Sequence, residues 1–177
     1  MRILFFHGLE SGPNGSKARW LAERYGAVTP HLGSEVVAEP LMAGRIRVPE
    51  EFLAAAAPCV QVARDALVDE APDLVVGSSF GGAIAVHLAA EGRWTGPLLL
   101  LACASRKLLG DVPLPKSTKA VLVHGRQDDV VPICDSRWLA ASAGPEVLLW
   151  EVADDHRLGA QLGNGVLDAA IGWLARA

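Results

Sequence analysis

The feature that most constrains the fold is a series of short apolar runs that contain almost no polar residues. Strands buried on one face alternate apolar and polar residues, so uninterrupted runs are typical of strands buried on both faces. Five such runs lie at residues 3–6, 74–76, 98–103, 120–123 and 147–150. Segments of helical period separate them, at residues 17–25, 50–70, 80–91, 133–143 and 166–175. This alternation predicts an α/β fold, a three-layer sandwich with a mostly parallel sheet between helices.

Chain length, one further apolar segment and a proline refine this expectation. A chain of 177 residues can bury a sizeable core without a structural metal ion or disulfide bonds. We therefore expect residues 1–177 to form one domain. Residues 35–39 could add another strand, which gives a sheet of about six strands, although residues 30–48 otherwise lack a clear period. Pro58 is expected to kink or split the helix of residues 50–70.

Charge and cysteine usage narrow the classes of partner. The chain carries 16 basic and 20 acidic residues and has no basic run, which does not favour nucleic acid. Its longest apolar run, residues 98–104, is far shorter than the roughly 20 residues that span a bilayer. The amino terminus lacks a signal-peptide pattern, and Cys59, Cys103 and Cys134 lie apart in apolar stretches. We therefore expect a cytoplasmic protein with buried thiols and no membrane partner.

A GxSxG motif at residues 77–81 lies between the second apolar run and the helix of residues 80–91. This context is typical of a nucleophile elbow, in which a strained turn exposes the central serine, Ser79. Glycines two residues away on either side are required because larger side chains would collide there. The alternative is a helix cap in a glycine-rich turn. A phosphate loop is excluded because no Gly-Lys-Ser/Thr sequence follows.

A serine nucleophile needs a base, and the base needs a carboxylate that holds it in one tautomer. Asp128 follows the run of residues 120–123, and His156 follows the run of residues 147–150. The carboxyl ends of parallel strands meet at one edge of a sheet, where Ser79 also emerges. The sequence thus predicts a Ser79, Asp128 and His156 triad, with Asp129 as the alternative acid. His7 and His124 precede glycines at strand ends and are interpreted as supports for nearby loops.

With these motifs in place, the sequence resembles the α/β-hydrolase superfamily, in particular its small lidless bacterial serine esterases. The resemblance covers nearly the whole chain and rests on four motifs: His7-Gly8 after the first strand, GxSxG, the GxxDxxVP loop of residues 125–132, and Asp155-His156. It implies that Asp128 is the triad acid. It also implies that the backbone N–H groups of Leu9 and Phe80 form the oxyanion hole.

The chain departs from larger members of that superfamily in two places. It begins at what resembles their third strand, and only residues 105–119 occupy the position where they insert a cap domain. A minimal α/β-hydrolase fold without a cap is therefore expected, with a shallow and open site.

These features predict a serine hydrolase that cleaves small carboxylic esters through an acyl-enzyme, without a metal or organic cofactor. The expected partner is a small-molecule acyl ester or thioester. A thioesterase or small peptidase with the same triad is one alternative, and a noncatalytic binding protein with this fold is another. A homodimer is possible on composition alone.

Further residues are candidates for contacts with the substrate. Glu10 and Ser11 follow the predicted oxyanion turn, and Arg106 and Lys107 could attract an anionic substrate. Five apolar residues lie on the two loops best placed to wall an acyl pocket: Leu41, Met42, Leu108, Leu109 and Leu114.

Overall fold

A computed structural model describes residues 1–176 and contains one parallel sheet of five strands. The strands pair in chain order: β1 (Ile3–Phe6), β2 (Leu74–Ser78), β3 (Leu98–Leu101), β4 (Ala120–Gly125) and β5 (Val147–Val152). All five were predicted from the apolar runs, with ends that differ by at most two residues. Every residue of β1 to β4 is buried, because helices cover both faces of the sheet.

Seven α-helices surround the sheet in the described residues. They are α1 (Ser16–Tyr25), α2 (Glu35–Met42), α3 (Pro49–Glu70), α4 (Phe80–Ala90), α5 (Ser105–Leu109), α6 (Ile133–Ser142) and α7 (Val166–Leu174). A single 3₁₀ turn (Gly159–Leu162) precedes α7. Pro49 occupies the first turn of α3, where its missing N–H costs no helical hydrogen bond, and Gly26 ends α1 in the left-handed conformation.

Two hydrophobic clusters lie on opposite faces of the sheet and give the three-layer architecture. On one face, α1 and α7 cover residues such as Phe5 and Leu99; on the other, α3, α4 and α6 cover residues such as Phe6 and Leu100. Successive strand residues thus enter different clusters, as the alternating side-chain directions of a strand require. The fold class predicted from the sequence is confirmed.

The expected sixth strand at residues 35–39 is wrong, because this segment forms α2. Within α2 Val37 is buried and Leu41 is partly buried against the same core, whereas Val36 is 55% exposed. The edge of β1 is occupied instead by Val28, which makes one parallel bridge to Leu4. The Val28 N–H donates to the Ile3 carbonyl, and its own carbonyl accepts from Phe5.

Pro58 does not split its helix, since α3 continues from Pro49 to Glu70. The proline is exposed, so the carbonyl that loses its helical partner can be hydrated. On the opposite side, Phe52, Ala56 and Ala63 are buried in the core and hold both halves of the helix in place.

The prediction of three buried thiols is wrong at one position. Cys59 and Cys103 are buried, but Cys134 is exposed in the first turn of α6. None of the helices formed by residues 1–176 combines the length and apolar character needed to cross a membrane.

Candidate active site

The tight turn at Ser79 joins β2 to α4. Ser79 has φ +52° and ψ −112°, a conformation that costs energy for a residue with a Cβ. The flanking glycines make the turn possible: a Cβ on Gly77 would lie 2.7 Å from the Cα of Gly82, and one on Gly81 would lie 2.1 Å from the Phe6 carbonyl oxygen. Backbone contacts this close explain why the motif requires glycine at both positions.

The structure brings Ser79, Asp128 and His156 together, although they lie on three different loops. His156 Nε2 lies 3.0 Å from Ser79 Oγ, and His156 Nδ1 lies 2.7 Å from Asp128 Oδ2. The Asp128 side chain is fully buried, whereas the His156 side chain is 19% exposed. A buried carboxylate behind a partly exposed imidazole can orient that imidazole and stabilise its positive charge. Asp129, the alternative acid, is exposed on the neighbouring turn.

The Asp128 carboxylate is itself held by its own turn. Its Oδ1 accepts hydrogen bonds from the N–H groups of Val130, at 2.9 Å, and Val131, at 2.8 Å. These contacts leave Oδ2 directed at His156. The backbone therefore fixes the orientation of the acid as well as its position.

Leu9 and Phe80 belong to backbone segments next to the serine: Phe80 follows it in the chain, and a Cβ on Gly8, the residue before Leu9, would lie 3.7 Å from the Ser79 Cβ. Phe80 begins α4, so its N–H lies at a helix start, where no carbonyl of the same helix is available and the helix dipole favours negative charge. Among residues 1–176, the Leu9 N–H has no backbone acceptor. Two donors of this kind can stabilise the oxyanion that forms when a serine attacks an acyl carbonyl.

His7 and Ser34 hold the loop that carries Leu9. His7 Nε2 accepts a hydrogen bond from the Leu32 N–H at 3.1 Å, so the ring proton is on Nδ1, which donates to the Gly8 carbonyl at 2.8 Å. That carbonyl belongs to the same peptide group as the Leu9 N–H. Ser34 Oγ donates to the Leu9 carbonyl at 2.8 Å. Burial lowers the pKa of His7, and a second ring proton would face the Leu32 N–H.

The loop of His156 packs against β4 at Gly125. A Cβ on Gly125 would lie 2.3 Å from the Asp154 carbonyl oxygen and 2.6 Å from the Asp155 carbonyl oxygen. The Asp154 carboxylate closes the same loop by accepting from the N–H groups of Asp155 and Ala160 and from the side-chain amide of Gln161. The position of His156 thus depends on a glycine 31 residues earlier in the chain.

The residues expected to wall an acyl pocket divide into two groups. Leu108, Leu109 and Leu114 are buried in the hydrophobic core, so their expected pocket role is wrong. Leu41 is partly buried against the same core, and Met42 is exposed. Glu10 and Ser11 are exposed beside the Leu9 loop, where they remain candidates for substrate contact.

The two candidate cations have partners within the protein. Arg106 lies 2.9 Å from Asp111 and over the Trp138 ring, and Lys107 Nζ donates to the Val130 carbonyl at 2.7 Å. Lys107 therefore supports the turn that carries Asp128. Within residues 1–176 there is no cluster of His, Cys, Asp or Glu side chains that could hold a metal ion. The buried Cys103 thiol does not compete with the serine, because burial raises its pKa to about 11.

Sequence reasoning missed several supporting contacts of this site. Leu32 and Ser34 lie in the segment that lacked a clear period, and no local pattern connects them with His7 or Leu9. His124 was interpreted as a loop support, but its approach to the Asp128 side chain was not anticipated.

Comparison with solved structures places the fold among known proteins. A protein of the α/β-hydrolase superfamily from Xanthomonas campestris pv. campestris superposes with a TM-score of 0.66 at 24% identity, over 98% of this chain and 95% of that chain. The α/β hydrolase domain-containing protein 10 from mouse gives a TM-score of 0.72 at 17% identity, over 98% and 90% of the two chains. A dienelactone hydrolase from Anabaena variabilis gives 0.63 at 23% identity, over 98% and 82%. No protein-family model matches the chain, and no curated protein matches it.

Proposed function

We propose that this chain, which has the α/β-hydrolase fold, is a serine hydrolase that cleaves small carboxylic esters through an acyl-enzyme intermediate. The observation that carries the proposal is the chain of contacts from Ser79 Oγ through His156 to Asp128, at 3.0 and 2.7 Å. A serine hydroxyl becomes a nucleophile when an oriented base can accept its proton. The hydrolases and esterases among the similar solved structures support the same reaction class.

The reaction begins at the acyl carbonyl of the ester. Ser79 Oγ attacks the carbonyl carbon while His156 Nε2 accepts the hydroxyl proton, and Asp128 stabilises the resulting imidazolium. The N–H groups of Leu9 and Phe80 donate to the oxyanion. When the tetrahedral intermediate collapses, the C–O bond to the alcohol breaks and His156 gives its proton to the leaving oxygen. Water, deprotonated by the same imidazole, then attacks the acyl-enzyme and releases the acid and the serine hydroxyl.

The short connection between β3 and β4 supports small substrates. It contains α5 and no cap domain, and Ser79 and His156 both remain partly exposed. An open site buries little of a long acyl chain, so chain length adds little binding energy. We expect the rate on p-nitrophenyl esters to be highest for short acyl groups. A rate that rises steadily up to long acyl chains would contradict this substrate class.

The first experiment measures the intact mass of the protein after exposure to a small fluorophosphonate. We expect one adduct on the native chain and none on Ser79→Ala, since only an activated serine reacts. Rates on matched ester, thioester and amide substrates then distinguish an esterase from a thioesterase or a peptidase. Absence of both an adduct and turnover in the folded native protein would favour a noncatalytic binding protein.

Replacing the acid tests its assignment. Asp128→Asn should lower kcat by about 10³–10⁴-fold, because the amide favours the wrong tautomer of His156. Asp129→Asn is the matched control, since it removes an exposed neighbouring carboxylate, and it should retain native kcat. A large loss of kcat in Asp129→Asn with little change in Asp128→Asn would show that Asp129, and not Asp128, is the acid of the triad.

A further inference from the structure

A second histidine approaches the carboxylate that faces His156. His124 belongs to β4 and is fully buried, and its Nε2 lies 3.1 Å from Asp128 Oδ2. The same oxygen lies 2.7 Å from His156 Nδ1. Asp128 Oδ2 is therefore flanked by two imidazoles, of which only His156 contacts Ser79.

The contacts of His124 determine which of its ring nitrogens carries the proton. Nε2 donates to the Val131 carbonyl at 3.0 Å and lies 3.1 Å from the Asp128 carboxylate, so the proton is on Nε2 and close to the carboxylate charge. Nδ1 lies 2.7 Å from the Oγ of Ser136, a buried serine in α6. The Ser136 hydroxyl can donate to Nδ1, which keeps the positive end of the Nε2–H dipole beside Asp128.

The two carboxylate oxygens have different neighbours. Oδ1 accepts from the N–H groups of Val130 and Val131, which hold the carboxylate even if His124 is replaced. Oδ2 lies between the two histidines. Loss of His124 would therefore leave Asp128 in place but remove a dipole that offsets part of its charge. The remaining charge would act on His156 alone, and it would favour the protonated form of that imidazole.

We propose that His124 is a positioning residue which acts through Asp128 and keeps His156 available as a base in more acidic solution. This role rests on the proposed function, because it concerns the base that activates Ser79. His124 would then contribute to the site although its imidazole is fully buried and does not contact the serine.

Other charged groups surround this pair and are left unchanged by the experiment. Lys107, from α5, donates to the Val130 carbonyl, and Asp135, from α6, lies 3.8 Å from Arg106. Glu151 of β5 is the register partner of His124 and is paired with Arg137. Asp155 and Arg157 flank His156 in the chain. A difference in pH dependence between native protein and a His124 variant can therefore be assigned to His124, because these charged groups are the same in both proteins.

The test is the pH dependence of kcat/KM for a p-nitrophenyl ester in native protein, His124→Leu and His124→Gln. In His124→Leu the midpoint of the acidic limb should rise by about one pH unit, because a contact to a charged group is lost. Activity at alkaline pH should stay within a few-fold of native. The glutamine amide can donate from near the position of Nε2, so His124→Gln should return the midpoint towards the native value.

Leu139→Ala controls for general destabilisation, because Leu139 is buried in the same helix as Ser136 and lies outside the hydrogen-bonded chain described above. It should lower Tm without moving the acidic limb. An acidic limb in folded His124→Leu that matches the native one, or a shift equal in the leucine and glutamine variants, would overturn the proposal.

A measurement without turnover separates this proposal from the proposed function. In protein labelled with ¹⁵N-histidine, the His156 imidazole can be titrated by NMR whether or not esters are cleaved. Its titration midpoint should be higher in His124→Leu than in native protein, and glutamine should reverse the change. If native protein cleaves no ester, the proposed function fails, but this NMR comparison still decides whether His124 acts on His156 through Asp128.

Discussion

At the scale of single residues, the orientation of the Leu9 N–H depends on one buried imidazole. His7 donates to the Gly8 carbonyl of the peptide group that contains this N–H, and Leu32 fixes the tautomer. A hydrogen bond to the carbonyl of a peptide group polarises its N–H and makes it a better donor. His7 thus couples the support of the loop to the strength of the predicted oxyanion contact.

His7→Leu removes this donor, whereas His7→Asn retains an N–H near the position of Nδ1. We expect kcat on a short p-nitrophenyl ester to fall by up to about 100-fold in His7→Leu, with KM little changed, because the lost contact acts on the oxyanion. His7→Asn should recover part of this loss. His31→Leu, which replaces an exposed neighbouring histidine, is the control and should keep native kcat. Equal kcat in native protein and His7→Leu would show that the Leu9 loop does not need this support.

Sequence alone could select the candidate triad but not the residues that hold it in place. Ser79, Asp128 and His156 stand in motifs that specify a strand, a turn and a residue type within a few positions. The contact of Ser34 with Leu9 joins positions 25 residues apart, and that of His124 with Asp128 arises because a buried strand and its following turn fold back on each other. Such contacts depend on packing distances that no local pattern encodes.

At the scale of elements, the buried strands were predictable and the chain between α1 and α3 was not. Leu98–Leu101 is purely apolar because both of its faces contact helices, and this requirement is visible in the sequence. The short segment of residues 35–39 has a pattern that fits a strand or a helix, and it buries only Val37. Its structure is decided by how the loop after Val28 returns over the sheet, which depends on tertiary contacts.

The packing of the His156 loop against β4 gives a prediction at this scale. Gly125→Ala adds a Cβ that meets the Asp154 carbonyl at 2.3 Å, so the loop must move away from the strand. We expect the free energy of unfolding to fall by about 1–3 kcal/mol and kcat to fall with it, because His156 moves relative to Ser79. Urea unfolding and ester hydrolysis measure the two effects.

Gly159→Ala is the matched control for this variant. It lies just beyond the same loop, and its added Cβ would meet no atom within 4 Å. It should retain native stability and activity. The interpretation of Gly125 would be contradicted if both glycine variants behaved like the native protein.

At the scale of the whole molecule, stability and the candidate site share a buried titratable group. Burial lowers the pKa of His7, so between the ordinary value of 6.5 and that lowered pKa the unfolded chain binds more protons than the folded one. Its contribution to stability is complete above pH 6.5 and is lost as the pH falls towards the lowered pKa. Asp168 acts in a separate window: hydrogen bonds from Tyr25 and then Arg24 lower its pKa, and its contribution is lost only below about pH 4.

Urea unfolding between pH 5.5 and 8 therefore stays above the range in which Glu91, Glu151 and Asp168 lose their contributions, and the comparison with His7→Asn measures the contribution of the histidine. We expect the free energy of unfolding of the native protein to decrease below pH 6.5 with a slope of at most about 1.4 kcal/mol per pH unit for one proton. His7→Asn should be less stable at pH 8 but should show a flatter profile, because its side chain does not titrate. His31→Leu should keep the native slope, since it leaves His7 in place. A native profile that is flat over this range, or a slope retained in His7→Asn, would mean that protonation of His7 does not oppose folding.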